Sequence, residues 1–481
     1  ESTLGSSIIA QPAEWFEITP NRFASSASRW KQSNLASGET WTRLHSPPYA
    51  ATPLDMKAEA DQFFLQGINQ LMGHGWCHRP ADGDPSQWVF YAAANFNETN
   101  PWHPVMPELS RYLQTVSSLL RAGKSVVDVA IYLPDHDIWA GQTLGSSKEN
   151  LHHINKLRNH IGLNLPAQLL RMGLNFDLAD DDVLQRLTRE RDKRYQAILL
   201  PSVHRIPLTT LQALKKLVGD GVKIICIDSI PDQPVGRVHR ASEATAIAKL
   251  SRELFESGEN PQIHRCSSDE LHRLSQWLTS DVTLDQSLPE VGYVHRQLEQ
   301  GDLYFFANTS NHVIQLQPRF RKPGQYAYQL DLMRRTFTPC EPNLLQLDAY
   351  ESVAILHTSQ RIDAESLGDF TFIPRKSADA FQSIELNDNW KLLLPDGQSL
   401  SLDNLQLWTD LPEYRFYSGQ MTYRTTFHLP ALPADARVEL NLGQAHSVPP
   451  RRLDPARRNT GYMTFLDTPI KDAAQIILNG Q

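Results

Sequence analysis

The order of apolar and polar positions near the start of the chain predicts a strand, a helix and a second strand. Two short apolar runs stop abruptly at an ionisable residue, Glu39 within residues 35–42 and His74 within residues 67–76. The segment between them has the i, i+4, i+7, i+8 spacing of an amphipathic helix, formed by Met56, Ala60, Phe63 and Phe64. Such a unit is a right-handed parallel crossover. We therefore expect Glu39 and His74 at the carboxyl ends of adjacent strands, the edge that carries the chemistry in α/β barrels.

The region before about residue 125 predicts only part of such a barrel. Residues 22–31 are typical of a helix that leads into the first strand. A longer helix is indicated by an apolar stripe formed by Leu109, Tyr112, Leu113, Val116 and Leu120. We count about three strands here, whereas a closed (β/α)8 barrel needs eight strands and about 250 residues. The pattern therefore predicts a partial barrel with an open edge.

Strands and helices alternate in the next part of the chain. Continuous apolar runs, typical of strands covered on both faces, occupy residues 126–133, 197–201 and 222–227. Helices are predicted around an apolar stripe from Leu211 to Val218, at 241–255 and at 269–278. This alternation predicts a small, flavodoxin-like parallel α/β layer. We expect it to carry no chemistry of its own, because it lacks a phosphate-binding glycine pattern.

After residue 282 the period changes to that of strands. Residues 291–296 and 302–307 predict a hairpin joined through Gln300 and Gly301. Further strands are expected at 326–330, 351–356 and 419–427. The sequence ends shortly after an Asn-Gly turn that has no returning strand, and it starts at Glu1 rather than Met. We therefore expect a chain that is cut at both ends.

Composition narrows the class of protein. The chain has 41% hydrophobic and 21% charged residues, as ordinary globular proteins do. No apolar run approaches the ~20 residues that a membrane-spanning helix needs. The net charge of -8 and the pI near 6.1 argue against a nucleic-acid partner, which would require a basic face. The four cysteines are scattered, without the spacing of a zinc site or a disulfide framework.

Short motifs spread over most of the chain occur in the order and spacing of one enzyme family. The first is residues 37–42, a strand end of the form S-x-E-x-[FW]-T. The others lie at residues 53–75, 97–102, 112–130, 293–308 and 416–423. Together they resemble the α-L-rhamnosidases of glycoside hydrolase family 106. Three features depart from the family: the front half of the barrel is missing, the approach to the Glu39 strand reads Ser-Arg-Trp-Lys-Gln at residues 28–32, and residues 445–468 have no counterpart.

The resemblance implies a catalytic barrel followed by accessory domains. We expect a multidomain fold, α/β plus all-β, with four units. These are the C-terminal part of a (β/α)8 catalytic barrel at 1–125, a flavodoxin-like α/β domain at 126–282, a β-sheet domain at 283–376 and an incomplete, galactose-binding-like β-sandwich at 377–481. The family implies a carbohydrate substrate, removal of terminal α-L-rhamnose with inversion, and calcium bound beside the rhamnose. We expect a periplasmic or secreted location, and nothing in the sequence indicates an oligomeric state.

Glu39 is the first candidate catalytic residue. It follows Gly38 at a strand end and is flanked by Trp41. A carboxyl group against an aromatic wall has its pKa raised by desolvation, as a glycosidase acid or base requires. The competing interpretation is that Glu39 caps the next helix or pairs with Arg43.

His74 is the second candidate, placed to bind a sugar hydroxyl or to orient a carboxylate. Its neighbouring glycines let the backbone approach a ligand closely, although a buried core histidine would have the same sequence. Four further residues are expected to line the sugar site: Trp41, Trp76, Asn97 and Trp102. For the tryptophans, packing in the core is the alternative.

An inverting glycosidase needs a second carboxyl group about 6.5–9.5 Å from the first. We expect it outside this chain or, less favourably, among Asp82, Asp84 and Glu98. By analogy with other barrels, Glu39 is assigned to the side that activates water. Two other functions stay open, a different barrel glycosidase such as a β-galactosidase and a glycan-binding protein without catalysis.

Overall fold

The computed structural model describes the backbone of residues 2–3 and, beyond it, most of the chain. The described ranges are 18–43, 49–84, 87–141, 153–236, 241–258, 260–363, 367–374, 383–386, 389–428, 439–449 and 462–479. They form a mixed α/β protein with several separate sheets. Within these ranges no helix combines the length and the apolar character that crossing a membrane requires.

The N-terminal region contains the predicted parallel crossover. Its elements are β1 (Ser2–Thr3), α1 (Pro20–Trp30), β2 (Ser37–Thr40), α2 (Pro53–Leu65), β3 (Gln70–Gly73), a 3-10 turn (His103–Val105), α3 (Met106–Arg121) and β4 (Lys124–Ser125). Strands β1, β2 and β3 lie side by side in parallel, with Glu39 opposite Met72. This confirms the strand–helix–strand prediction. In the described residues the sheet has three strands and does not close into a barrel.

Helix α2 is buried on nearly all sides, which fixes its position behind β2 and β3. Thr52 caps its first turn in a reciprocal pair with Asp55, and Pro53 begins the helix. Its apolar side chains enter three different clusters, represented by Met56, Phe63 and Phe64. The helix thus links the three-stranded sheet to the rest of the molecule.

The second region is a five-stranded parallel sheet covered by helices on both faces. Its elements are β5 (Val129–Tyr132), α4 (Asp135–Ala140), α5 (His153–Ile161), α6 (Asn164–Arg171), β6 (Phe176–Ala179), α7 (Asp181–Glu190), β7 (Ala197–Pro201), α8 (Leu208–Gly219), β8 (Lys223–Ile227), α9 (Ala241–Phe255), β9 (Ile263–Cys266), a 3-10 helix (Ser268–Arg273) and α10 (Leu274–Trp277). The spatial order is β6-β5-β7-β8-β9, the 2-1-3-4-5 order of doubly wound sheets. Strands β6 and β9 were not predicted from the sequence.

Helix α1 covers the free edge of this sheet at β6. The Leu178 amide donates to Ser26 Oγ at 3.0 Å, and the Trp30 indole N–H donates to the Leu178 carbonyl at 3.1 Å. Arg29 forms an ion pair with Asp177. These contacts satisfy backbone groups that an uncovered edge strand would expose, so the N-terminal region and the five-stranded sheet pack directly together.

The third region is built from strands that pair antiparallel, with one parallel exception. They are β10 (Val282–Thr283), β11 (Val291–Gln297), β12 (Gly301–Asn308), β13 (Ile314–Leu316), β14 (Arg319–Phe320), β15 (Tyr326–Asp331), β16 (Thr336–Pro339), β17 (Leu345–Leu347), β18 (Ser352–Thr358) and β19 (Thr371–Phe372). The main sheet has seven strands in the order β19-β16-β15-β18-β12-β11-β4, and in it β19 runs parallel to β16. Strands β11 and β12 form the predicted hairpin. One face of the sheet packs against α2 and α3 through Leu303 and Phe305.

The described C-terminal residues form only small sheets. Strands β20 (Trp390–Leu393), β21 (Ser399–Leu402) and β22 (Thr422–Arg424) make one, and β23 (His446–Ser447) and β24 (Leu466–Asp467) make another. The strand expected at 419–427 is therefore reduced to β22. The backbone amide and the hydroxyl of Thr464 donate to Asp55 at 2.7 and 2.8 Å, so residues without a counterpart in the resemblance pack on the start of α2.

Candidate active site

Glu39 and His74 lie together at the carboxyl ends of β2 and β3, as expected from the crossover. The Thr42 hydroxyl donates to Glu39 Oε1 at 2.6 Å and lies 3.3 Å from His74 Nδ1. His74 Nδ1 is 3.7 Å from the same Glu39 oxygen. About one third of each of the two side chains is exposed, 35% for Glu39 and 34% for His74. The group is therefore organised but open to a ligand.

Trp41 is buried in the core next to this group. Its backbone has a φ of 63°, in the left-handed region that a bulky residue rarely adopts. Its indole N–H donates to the Met56 carbonyl at 3.0 Å, and its ring packs edge-on against Phe96. Because only 4% of Trp41 is exposed, the structure places it in the core rather than on the sugar site.

A glycine is required where β3 passes this ring. A Cβ atom at Gly73 would lie within 2.9 Å of atoms in the rings of Trp41 and Phe96. The absence of a side chain lets the end of β3 approach Trp41 closely, which brings His74 beside Thr42. The His74 amide donates to the Thr40 carbonyl at 2.9 Å and fixes that approach.

Glu59 on α2 belongs to the same assembly, although sequence analysis did not select it. Its Oε1 accepts the Trp41 amide at 3.2 Å. Its Oε2 is closed to solvent and has no hydrogen-bond partner among the described residues. Burial raises the pKa of Glu59 to about 7, although the nearby Arg43 charge and the Trp41 amide act in the opposite direction. No sequence signal pointed to Glu59, because a glutamate on a helix that is expected to be amphipathic is normally placed on its exposed face.

A cavity of about 370 Å³ opens beside His74. Its lining includes His74, Trp76, Cys77, His78, Trp88 and Phe90. Trp76 is 57% exposed, and its ring is steadied edge-on by Phe96 and His103. Of the three tryptophans expected to line the sugar site, Trp76 alone presents its ring to this cavity. The volume and the aromatic lining suit a small polar ligand such as one sugar ring.

Asn97 and Trp102 are buried supports of the surrounding loops. The Asn97 amide nitrogen donates to the Cys77 carbonyl at 2.7 Å, and the Trp102 indole N–H donates to the Ala51 carbonyl at 2.8 Å. Asn97 is 0% and Trp102 is 6% exposed. The structure thus buries both residues: Asn97 holds the loop that carries Cys77, and Trp102 is a core residue bonded to Ala51.

Acidic side chains do not converge into a metal site in the described part of the chain. No group of three or more His, Cys, Asp or Glu residues lies within metal-binding reach there. Asp84 and Glu98, two of the loop carboxylates considered from the sequence, line a separate second cavity.

Comparisons with known proteins identify the family. A curated protein from Formosa agariphila, a putative β-glucuronidase, is 23% identical over 307 residues, which are 62% of this chain and 24% of that protein. The solved rhamnosidase from Novosphingobium sp. PP1Y aligns with 86% of this chain and 39% of its own, at 18% identity and a TM-score of 0.64. A β-galactosidase from Bacillus circulans sp. alkalophilus aligns with 70% of this chain and 57% of its own, at 11% identity and a TM-score of 0.48.

This chain thus spans a quarter to two fifths of the lengths of the first two proteins. The likeness to the Novosphingobium structure is a likeness of fold. The evidence for the family is a match to the family model described as alpha-L-rhamnosidase over residues 7–330 of the 481. That match includes Glu39, His74, the whole five-stranded sheet and the hairpin of β11 and β12. The chain belongs to the α-L-rhamnosidase family, glycoside hydrolase family 106.

Proposed function

We propose that this chain carries one side of the active site of an inverting, exo-acting α-L-rhamnosidase. The observation that carries the proposal is the shared contact of Glu39 and His74 with Thr42 beside an open cavity. Two ionisable side chains from adjacent parallel strands meet there, at the edge where barrel enzymes act. The terminal α-L-rhamnose would occupy the cavity beside Trp76.

The proposed role of Glu39 is to activate water. Thr42 donates to its Oε1 and thereby fixes the orientation of the carboxylate, which leaves Oε2 to take a proton from the attacking water. His74 would bind a sugar hydroxyl through its ring. The acid that protonates the glycosidic oxygen is a second carboxyl group, and Glu59 does not fit that role because its carboxylate faces the Trp41 amide.

The architecture of this proposal is a partial (β/α)8-type barrel around β1 to β3, followed by a flavodoxin-like domain and β-sandwich domains. Calcium enters the proposal as the cofactor of the family, and no step is assigned to it. A periplasmic or secreted location belongs to the same proposal.

The test is turnover by the full-length protein on a panel of nitrophenyl glycosides. We expect cleavage of the α-L-rhamnoside, with NMR showing that the rhamnose is released with inverted anomeric configuration. Cleavage of the β-galactoside or the β-glucuronide instead would assign a different glycosidase. Binding of rhamnose without any turnover would assign a glycan-binding protein, and loss of turnover in EDTA with rescue by calcium would support the cofactor.

A further inference from the structure

A second cavity, of about 610 Å³, lies between the N-terminal region and the C-terminal small sheets. On one side it is lined by the loop at 98–101, and on the other by the turn at 417–420. The two sides are joined by the Gln420 side-chain amide, which donates to the Pro101 carbonyl at 3.0 Å. The cavity is therefore formed by two parts of the chain that are more than three hundred residues apart.

The second cavity adjoins the candidate active site through a chain of hydrogen bonds. The Tyr49 hydroxyl on its wall lies 2.9 Å from Thr99 Oγ1, which donates to Asn97 Oδ1 at 2.6 Å. Asn97 in turn donates to the carbonyl of Cys77, which lines the first cavity. The two cavities are thus linked by one short chain of hydrogen-bonded loop residues.

The lining of the second cavity has the chemistry of a site for neutral sugars. It presents phenol, hydroxyl, amide and carboxylate groups from Tyr49, Asp84, Glu98, Tyr417, Ser418 and Gln420. Such groups donate to and accept from sugar hydroxyls, and the rings offer an apolar face. Of the lining residues that the structure describes, none is Lys or Arg. The negative charges of Asp84 and Glu98 repel uronic acids and other anionic sugars.

The Tyr417 side chain is held by its own turn at 417–420, where its hydroxyl donates to the Gln420 carbonyl at 3.4 Å. The Tyr417 ring lies directly over Gly419, where a Cβ atom would collide with the phenol oxygen. Gly419 has a φ of 157°. The neighbouring Phe416 ring is 92% exposed and does not line the cavity. Two adjacent aromatic residues therefore differ in their relation to the cavity, which provides a matched pair for experiment.

We propose that the second cavity binds neutral sugar residues of the glycan whose terminal rhamnose occupies the first cavity. The proposal rests on the proposed function for the identity of that terminal sugar. Its own content is that residues 98–101 and 417–420 form one additional subsite, selective for uncharged sugars.

The test is calorimetry on the full-length protein with the Glu39→Gln substitution, which is expected to slow hydrolysis of the probe at least ~100-fold. The probes are a neutral rhamnose tetrasaccharide, free L-rhamnose and tetragalacturonate. We expect Tyr417→Ala, which removes the ring, and Gly419→Val, whose Cβ displaces the phenol, each to weaken tetrasaccharide binding about threefold to tenfold, the size of one lost polar contact. The ratio of the tetrasaccharide affinity to the L-rhamnose affinity should fall by the same factor. Phe416→Ala is the control and should keep the wild-type ratio, and melting curves establish that each variant is folded.

An unchanged tetrasaccharide affinity in folded Tyr417→Ala and Gly419→Val proteins would overturn the proposal. Equal binding of tetragalacturonate would overturn its selectivity, and tetrasaccharide binding that disappears in EDTA would assign the carboxylates to a cation instead. Failure of the proposed function gives a different pattern, because wild-type protein would then leave the nitrophenyl rhamnoside intact. A loss of tetrasaccharide affinity in the Tyr417 and Gly419 variants would in that case still assign a glycan site to this cavity.

Discussion

The molecule contains two parallel sheets with polar side chains at the carboxyl ends of their strands. The two sheets differ in how many hydrogen bonds these side chains form. In the five-stranded sheet two carboxylates at this edge, Asp137 and Asp181, are each held by several hydrogen bonds. The Asp137 carboxylate accepts the amides of His204 and Arg205 and the Arg205 guanidinium. Asp181 accepts hydrogen bonds from three side chains, Tyr132, His136 and Thr210.

In the three-stranded sheet the corresponding groups are only partly engaged. Glu39 has Thr42 as its close partner and remains one third exposed. Glu59 uses one oxygen for the Trp41 amide and leaves the other unpartnered among the described residues. Buried polar groups are nearly always satisfied, so the unpartnered Glu59 oxygen sets this region apart from Asp137 and Asp181. The comparison teaches that the fully bonded carboxylates belong to the fold, whereas Glu39 keeps capacity for a further partner.

The largest expected effect is on catalysis by Glu39. Glu39→Gln keeps the shape of the side chain and its oxygen for Thr42 but removes the base. Since general acid–base assistance is worth about 10²–10⁴-fold, kcat of the full-length enzyme should fall at least ~100-fold. The melting temperature should change little, because about one third of the Glu39 side chain is exposed and Thr42 is its one close partner. Kinetics on the nitrophenyl rhamnoside and a melting curve measure both.

Glu108→Gln is the matched control for this experiment. Glu108 is exposed on α3, where its carboxylate pairs with Arg111, and the substitution removes the same charge. A Glu39→Gln enzyme within tenfold of wild-type turnover would remove Glu39 from the mechanism. A marked loss of stability with intact turnover would show that the carboxyl edge of the three-stranded sheet is structural, like that of the five-stranded sheet.

The second prediction concerns the carboxyl edge of the five-stranded sheet, where we expect a substitution to lower stability rather than turnover. Asp137→Ala leaves the amides of His204 and Arg205 without their acceptor in a buried place, because the Asp137 side chain is only 4% exposed. The free energy of unfolding should fall by about 2 kcal/mol, measured by urea denaturation, while kcat of the folded protein stays at the wild-type value. Asp182→Ala, which removes an 82% exposed carboxylate at the same edge, should change little. A specific loss of kcat in Asp137→Ala would mean that the carboxyl edge of the five-stranded sheet takes part in function.

The fold of these two sheets was predictable to different degrees. The crossover of β2, α2 and β3 followed from the apolar spacing alone. Strand β6 did not, because its Asp177 is charged yet buried and becomes acceptable only through Arg29 and Tyr195, which come from distant positions. Strand β9 lies at the sheet edge, where partial exposure permits polar residues and hides the strand pattern.

The sequence predicted which two residues meet at the candidate site, but not the contacts that position them. The ends of apolar runs indicated Glu39 and His74, because strand ends are readable from sequence. The direction of Trp41 was not, since a positive φ at a tryptophan has no sequence signal and depends on acceptors supplied by α2. The contribution of Glu59 depends on the same long-range packing.

The third prediction concerns Glu59 as a positioning residue. Glu59→Ala removes the acceptor of the Trp41 amide, so the left-handed turn between Glu39 and Thr42 should relax. A small misplacement of a catalytic group lowers the rate strongly, and we expect kcat to fall about tenfold. Glu59→Gln retains an amide oxygen as acceptor and should recover most of the rate. Equal losses in both variants would contradict a positioning role, and the same kinetic assay with Glu108→Ala provides the control.

The smallest expected effect is a pH-dependent change of stability at the carboxyl edge of the five-stranded sheet. The hydrogen bond to Asp181 raises the pKa of His136, assisted by the charges of Asp135 and Asp137. For Asp181, burial acts to raise the pKa, but hydrogen bonds from His136 and its neighbours outweigh it and lower the pKa. A raised histidine pKa contributes stability below the unfolded value of about 6.5, and that contribution is lost as the pH rises through the folded value. A lowered aspartate pKa contributes above the unfolded value of about 3.9 and is lost at more acidic pH.

The ion pair should therefore be strongest between about pH 4 and 6.5. Asp181→Asn should lower the free energy of unfolding by about 1 kcal/mol more at pH 5.5 than at pH 8.5, because the pair is partly exposed and screened by solvent. Urea denaturation at the two pH values measures the difference. Asp182→Asn removes the same charge one residue away, without a histidine partner, and should show no such dependence. An Asp181→Asn penalty that is equal at both pH values would show that neutral hydrogen bonds, rather than the His136 charge, hold this edge together.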